Sequence, residues 1–128
     1  MVINLKTVAP KSILVVDDEP VVADTIRLLL MINRHRVEVA EDGEKALALH
    51  EKGKYDLVIV DLALPGMDGL ELARRIRVRN PQQPIIMITA HKETVTNDKR
   101  KANIDAILGK PFSPQQLQEV LVEVFPGG

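Results

Sequence analysis

The sequence predicts an α/β fold: a doubly wound, five-stranded parallel sheet with five helices on its two faces. Three observations carry this expectation. Short β-branched runs alternate five times with longer amphipathic stretches, the pattern left by crossover connections between parallel strands. The runs are apolar almost throughout, as strands covered on both faces require. The chain of 128 residues has room for one domain, and its 45% apolar residues supply an aliphatic core although it has only two Phe, one Tyr and no Trp.

The elements follow in order. Strands are expected at residues 13–16, 37–39, 57–60, 85–89 and 106–108. Pro20 suits the first turn of a helix that carries Val22, Ile26, Leu29 and Leu30 at helical spacing and ends near Asn33. Asp42 is a good N-cap for the second helix, which turns Ala46, Leu47 and Leu49 inward and closes at Gly53. The third opens on a capping box, Asp68-x-x-Glu71, and buries Leu72, Ala73 and Ile76. Its arginines, Arg74, Arg75, Arg77 and Arg79, face mostly outward, and Asn80-Pro81 ends it.

The fourth stretch is different. Residues 91–101 hold one aliphatic side chain, Val95, so a short and loosely held helix is expected, with Asn103 as its left-handed C-cap. The fifth helix is the clearest: Ser113, Pro114 and Gln116 form a capping box with proline at the first position, followed by Leu117, Val120, Leu121 and Val124.

Composition removes several classes of function. Lys plus Arg is 17 and Asp plus Glu is 18, a net charge of −1, too balanced for a general nucleic-acid or membrane-surface binder. The absence of cysteine excludes disulfides, thiolate zinc, iron–sulfur clusters and cysteine nucleophiles, and fits a reducing compartment. The first apolar run is stopped by Asp17, Asp18 and Glu19, far short of a signal peptide or a membrane span. A soluble, cytoplasmic protein is expected. His35, His50 and His91 are scattered, and each is expected to face solvent.

The chemistry gathers at strand ends. Asp17 and Asp18 follow the first strand, and Asp61 follows the third. In a doubly wound sheet ligands bind outside the carboxyl ends of strands, where neighbouring strands lie about 4.8 Å apart. Carboxylates meeting there disfavour one another's ionised forms unless a cation neutralises them, and an all-oxygen site with room for water suits Mg2+. Thr89 and Lys110 add a hydroxyl and an ammonium to the same edge. A carboxylate so placed can attack phosphorus and become an acyl phosphate, with Lys110 offsetting charge on the phosphoryl oxygens.

Four motifs at consistent intervals resemble the receiver domain of two-component response regulators. They are Val15-Val16-Asp17-Asp18-Glu19-Pro20, the run from Val58 to Gly69 centred on Asp61, Thr89-Ala90, and Lys110-Pro111-Phe112. The resemblance covers residues 12–124 and implies a flavodoxin-like strand order of 2-1-3-4-5. It implies that Asp61 accepts a phosphoryl group from a sensor histidine kinase or a histidine phosphotransfer protein. Asp17 and Asp18 then match the acidic pair that organises Mg2+, and Ala63 matches the position whose carbonyl completes the metal shell together with Asp61. Thr89 matches the switch hydroxyl, Lys110 the phosphoryl-contacting lysine, and Pro111 a proline preceded by a cis peptide. Residues 1–10 are then an N-terminal tail, 11–125 the receiver domain, and 126–128 an end or truncated linker.

Two departures bear on switching. Ile107 stands where the resemblance implies Tyr or Phe, and Asn103 and Ile104 replace an expected glycine and alanine. With no ring to swing and a restricted β-branched side chain, Ile107 should stay near one rotamer, and any coupling should pass through residues 91–103. The alternative function is a docking module of the same fold that does not depend on phosphate. A flavin-type phosphate cradle disagrees with the acidic first loop, and a phosphatase of the haloacid-dehalogenase type lacks its second Asp at Ala63. The arginines of the third helix lack an aromatic platform, so neither direct nucleic-acid contact nor membrane binding is expected.

Overall fold

The structure, a computed structural model, describes residues 7–128. Five strands form one parallel sheet in the order β2-β1-β3-β4-β5: β1 (Ser12–Val16), β2 (Arg36–Ala40), β3 (Leu57–Asp61), β4 (Ile85–Thr89) and β5 (Ala106–Gly109). Four helices connect them and a fifth follows the last strand: α1 (Pro20–Ile32), α2 (Gly43–Lys52), α3 (Gly69–Arg79), the single-turn α4 (Lys92–Thr96) and α5 (Pro114–Val124). The order places β1 and β3 side by side, so the chain reverses its winding direction between them and opens a crevice at their carboxyl ends.

Alternating side chains of each strand feed two separate cores. Ile13, Val15, Leu57, Ile59, Ile86 and Ile88 pack with Ile26 and Leu30 of α1 and Leu117 and Leu121 of α5. Leu14, Val16, Val58, Val60, Ile85 and Met87 pack on the other side with Ala46 of α2, Leu70, Leu72 and Ile76 of α3, and Val95 of α4. β3 and β4 are buried along their whole length, whereas the edge strand β2 exposes Arg36, Glu38 and Val39. The apolar runs therefore mark the centre of the sheet and the mixed run its edge.

The caps explain most helix ends. Asp42 and Asp68 accept from the backbone N–H of Lys45 and Glu71, each at 2.8 Å, and Ser113 forms a complete capping box with Gln116. The box at α3 is half formed, because the Glu71 carboxylate turns to Arg74 and Arg75 instead of Asp68. Beyond α1, Arg34 takes φ 67°, while the N–H groups of Arg34 and His35 bond to Met31 O and Leu30 O.

Several expectations are corrected. Asn103 is not a left-handed cap: the fourth stretch breaks after α4, and Lys99–Asn103 form a separate 3-10 turn followed by an extended Ile104. The break has a cause in Asp98, whose side chain accepts from Arg100 N and starts the second turn. Val8, expected in a tail, is buried in the core beside α1 and α5; residues 1–6 of that tail lie outside the described residues. His35 and His50 do not face solvent. His35 Nδ1 accepts from Lys11 N at 3.0 Å, and His50 Nε2 lies 2.8 Å from Gln83 Oε1 with its ring stacked on Tyr55. Because Gln83 Nε2 already donates to Tyr55 O, the His50 nitrogen is the donor. Such partners are distant in sequence, so a local reading leaves both rings on the surface. His91 is exposed as expected.

Burial, aided by the positive charge of Lys11, holds the His35 imidazole below its ordinary value, so the folded chain takes up a proton there less readily than the unfolded one. The unfolded chain protonates this ring near pH 6.5, so it binds more protons than the folded chain as the pH falls below that value, and stability declines. His35→Asn keeps an acceptor near the Nδ1 position and removes the titration. The stability advantage of the wild type over this variant in urea should narrow between about pH 7.5 and about pH 5.5; an unchanged difference refutes the assignment.

Candidate functional site

The site is made by strand register. Val16 pairs with Val60, so Asp17 and Asp61, the next residues, emerge abreast from neighbouring strands. Asp61 is opposite Ile88, which brings Thr89 to the same edge, and Thr89 is opposite Gly109, which delivers Lys110. The backbone N–H of Lys110 bonds to Thr89 O at 2.8 Å, and the Lys110–Pro111 peptide is cis, as expected from sequence.

Side chains converge accordingly. Lys110 Nζ lies 3.2 Å from Asp61 Oδ2 and 3.7 Å from Asp17 Oδ2. One carboxylate oxygen from each of Asp17, Asp18, Glu19 and Asp61 lies within 4.8 Å of the others. Asp17, Asp61 and Thr89 are buried, while Asp18 and Glu19 are exposed, giving a buried floor and an open acidic rim. Ala63 stands exposed in the loop leaving Asp61. Thr89 Oγ1 accepts from His91 N at 2.9 Å, so its hydroxyl proton is available to another acceptor.

Burial pushes both floor carboxyls above the usual carboxylate range. For Asp17 the rise is opposed by the Glu19 N–H and reinforced by the charge of Asp61. For Asp61 it is opposed chiefly by Lys110, then by the Ala63 N–H. Among the described residues a single ammonium, that of Lys110, thus faces more than one carboxylate. Asp17 Oδ1 accepts from Glu19 N at 2.9 Å, but buried Asp17 Oδ2 has no hydrogen-bond partner among the described residues. A hard divalent cation fits this donor set: the ligands are all oxygen, they are close together, and one is buried and unsatisfied.

The residues expected from sequence as a site therefore meet at one sheet edge. Two features were missed. Glu19 joins the acidic cluster, although its motif already contained it. Gly69 is the second: a side-chain carbon there would lie 2.4 Å from Asp61 O and 2.9 Å from Met87 Sδ, so only glycine lets α3 start against the strand that carries Asp61. Nothing local marks this need, because Gly69 follows a cap and reads as an ordinary helix start.

Residues 13–122 match the family described as the response regulator receiver domain. The chain belongs to that family. As a receiver it is 39% identical over 107 residues to the transcriptional regulatory protein ResD of Bacillus subtilis, covering 83% of this chain and 44% of that protein. It is 38% identical over 112 residues to the response regulator MprA of Mycolicibacterium vanbaalenii, covering 84% and 47%. The chain thus spans less than half the length of these relatives. Among solved structures it resembles the response regulator TrrA of Thermotoga maritima, determined in complex with Mg2+–BeF, with TM-score 0.84 and 36% identity over 89% of this chain and 98% of that one. The chemotaxis protein CheY4 of Vibrio cholerae matches with TM-score 0.85 and 31% identity over 91% and 99%. The sheet order and five helices are those of this fold, and receivers are signalling domains of two-component systems, not conventional enzymes.

The contact at Gly69 yields a test. Gly69→Ala should cost about 1–3 kcal/mol in chemical denaturation, because backbone must move to admit the methyl group. Gly127→Ala, where a side-chain carbon meets nothing within 4 Å, should leave the midpoint unchanged. Equal midpoints for all three proteins would contradict the packing described.

Proposed function

We propose that this receiver accepts a phosphoryl group on Asp61 from a sensor histidine kinase or a histidine phosphotransfer protein, in a Mg2+-dependent reaction. The observation that carries the reading is a buried Asp61 held 3.2 Å from Lys110 beside Asp17, whose inner oxygen lacks a hydrogen-bond partner. Asp17, Asp18 and Asp61, with the Ala63 carbonyl, would hold the cation. When bound, it supplies positive charge for the oxygens of the incoming phosphoryl group.

The step is a displacement at phosphorus. An Asp61 carboxylate oxygen forms the new P–O bond while the P–N bond to the donor imidazole breaks, and that ring keeps the electron pair and is protonated. Lys110 offsets charge on a phosphoryl oxygen and Thr89 donates its free proton to another. The same groups would assist hydrolysis of the acyl phosphate, so the domain would aid both its own phosphorylation and its own dephosphorylation.

A docking module independent of phosphate fits less well, since it gains nothing from burying two carboxylates side by side. Direct nucleic-acid contact by this domain is likewise not favoured. Arg74 and Arg75 are engaged by Glu71, Arg77 by Asp105 and Gln83 O, and Arg79 by Leu47 O. Among the described residues no helix is long and apolar enough to cross a membrane, which suits a domain meeting its kinase in the cytoplasm. The domain proper is taken as residues 11–125, with the buried Val8 packed beside it.

Incubation with acetyl phosphate or phosphoramidate and Mg2+ should add one phosphoryl group by mass spectrometry, absent in Asp61→Asn. Undiminished labelling of that variant would sink the assignment. Mg2+ alone should raise the melting temperature, because it relieves repulsion in the folded state and binds the unfolded chain weakly. Asp17→Ala and Asp18→Ala should both shrink the rise; full stabilisation in both variants would place the cation elsewhere.

A further inference from the structure

The connection between β4 and β5 is fastened by unusual means. Between residues 91 and 103 only Val95 is buried, and α4 is too short to be held by its own hydrogen bonds. At the start of the connection, His91 N donates to Thr89 Oγ1. Near its end, Arg100 forks onto Asp68, with Nη1 3.1 Å from Oδ1 and Nη2 3.1 Å from Oδ2. Asp98 aims this guanidinium, accepting from Arg100 Nε at 3.1 Å and Nη2 at 2.9 Å, and in turn Arg100 holds the Asp98 carboxyl down to about 2.

Asp68 is more than a surface acceptor. Its Oδ1 also caps α3 through Glu71 N, and the next residue, Gly69, donates to Leu62 O at 2.8 Å and packs against the Asp61 carbonyl. A single arginine therefore ties the 3-10 turn to the end of loop 62–68, the loop that begins directly after Asp61.

We propose that Arg100 is a positioning residue whose pair with Asp68 clasps residues 92–103 in their unphosphorylated place and so opposes occupancy of Asp61. The proposal rests on the reading of Asp61 as the phosphoacceptor and names how that site is regulated. The direction follows from the two fastenings. Thr89 turning toward a group on Asp61 draws its oxygen away from His91 N, which loosens the start of the connection. The weakly anchored segment then shifts as a unit against its other fastening, so the occupied state must stretch or open the clasp. Linkage makes the effect reciprocal: whatever weakens the clasp strengthens binding at Asp61. Side chains 34% and 42% exposed make a modest pair, so the expected change is about two- to fivefold.

Beryllofluoride with Mg2+ is the probe, applied to the full chain. Arg100→Met keeps the aliphatic stem and removes the fork; Asp68→Asn keeps an N-cap acceptor for α3 and removes the charge. Both should bind beryllofluoride about two- to fivefold more tightly than wild type at low salt, and the double variant no more tightly than either. Arg100→Lys should lie between, and about 1 M salt should erase the differences. Amide exchange across residues 92–103 should be faster in unliganded Arg100→Met, while Ile107 keeps its protection. Unchanged or weaker affinity, additive effects, or exchange altered around Ile107 but not across 92–103 would overturn the proposal, since a purely structural pair would lower stability alone. Failure of wild type to bind the probe or to be labelled at Asp61 would instead refute the phosphoacceptor reading. In that case faster exchange across 92–103 in unliganded Arg100→Met keeps the clasp, and equal exchange overturns it.

Discussion

Two carboxylates held abreast at the buried ends of neighbouring parallel strands set the terms for the rest of this molecule. Their placement follows from hydrogen-bond register: with Val16 against Val60, Asp17 and Asp61 have no freedom to separate along the sheet. A slip by one residue would turn both apolar sets to the wrong faces, so two cores together enforce the juxtaposition. Burial raises both carboxyls, and the Lys110 ammonium is shared between them at 3.2 and 3.7 Å. The last strand exists, from the standpoint of the site, to deliver that ammonium; its position is fixed by pairing to β4 and by the bond from Lys110 N to Thr89 O. The shortage of positive charge at this edge is what fits it to a divalent cation, and on the proposed reading that added charge, with Lys110, is what would let the edge hold a phosphoryl group.

The parts of the fold that could be read from sequence are those governed by local rules. Residues 57–60 and 85–88 are apolar without interruption, and they make up all but the last residue of the fully buried β3 and β4. Ser113 and Gln116 satisfy each other within one turn and mark α5 to the residue. Asp17, Asp61, Thr89 and Lys110 were legible as a site because each follows or ends a strand, and parallel topology converts strand ends into neighbours. What escaped was long-range. His50 meets Gln83 across 33 positions, Lys11 N finds His35 across 24, and Arg100 reaches Asp68 across 32. Gly69 is required by the carbonyl of Asp61, a contact visible only once α3 docks. Glu71 illustrates a different failure: the capping box is a valid local rule, but two arginines a turn away compete for the same carboxylate.

The helices on the two faces contribute unequally to the cores. On one, α1 and α5 insert Ile26, Leu30, Leu117 and Leu121 into a continuous aliphatic cluster. On the other, α3 contributes Leu70, Leu72, Ala73 and Ile76, whereas α4 contributes Val95 alone. Local opening energies follow buried apolar contact, so the β4–β5 connection belongs at the low end of this chain's range. Ile107 on β5 packs against the same second core as a partly buried aliphatic side chain and has restricted rotamers. On this packing, opening should be easier in the connection than in the strand beneath it.

A modest, exposed ion pair is a suitable fastening for such a segment for an energetic reason. A ligand shifts a two-state equilibrium only by its differential affinity for the two states, so a connection anchored by several buried aliphatic residues would demand several kcal/mol from a single phosphoryl contact. Here Val95 is the buried anchor, and the rest of the hold falls to Arg100, Asp68 and Asp98, whose partly solvated pairs contribute modestly. On the proposed reading, the bond between Thr89 Oγ1 and His91 N is one of the modest contacts that chemistry at Asp61 would disturb. The composition of residues 91–103, poor in apolar side chains and rich in charge, suits on the same proposed reading a segment held in a defined place and still open to release by chemistry at the adjacent strand end.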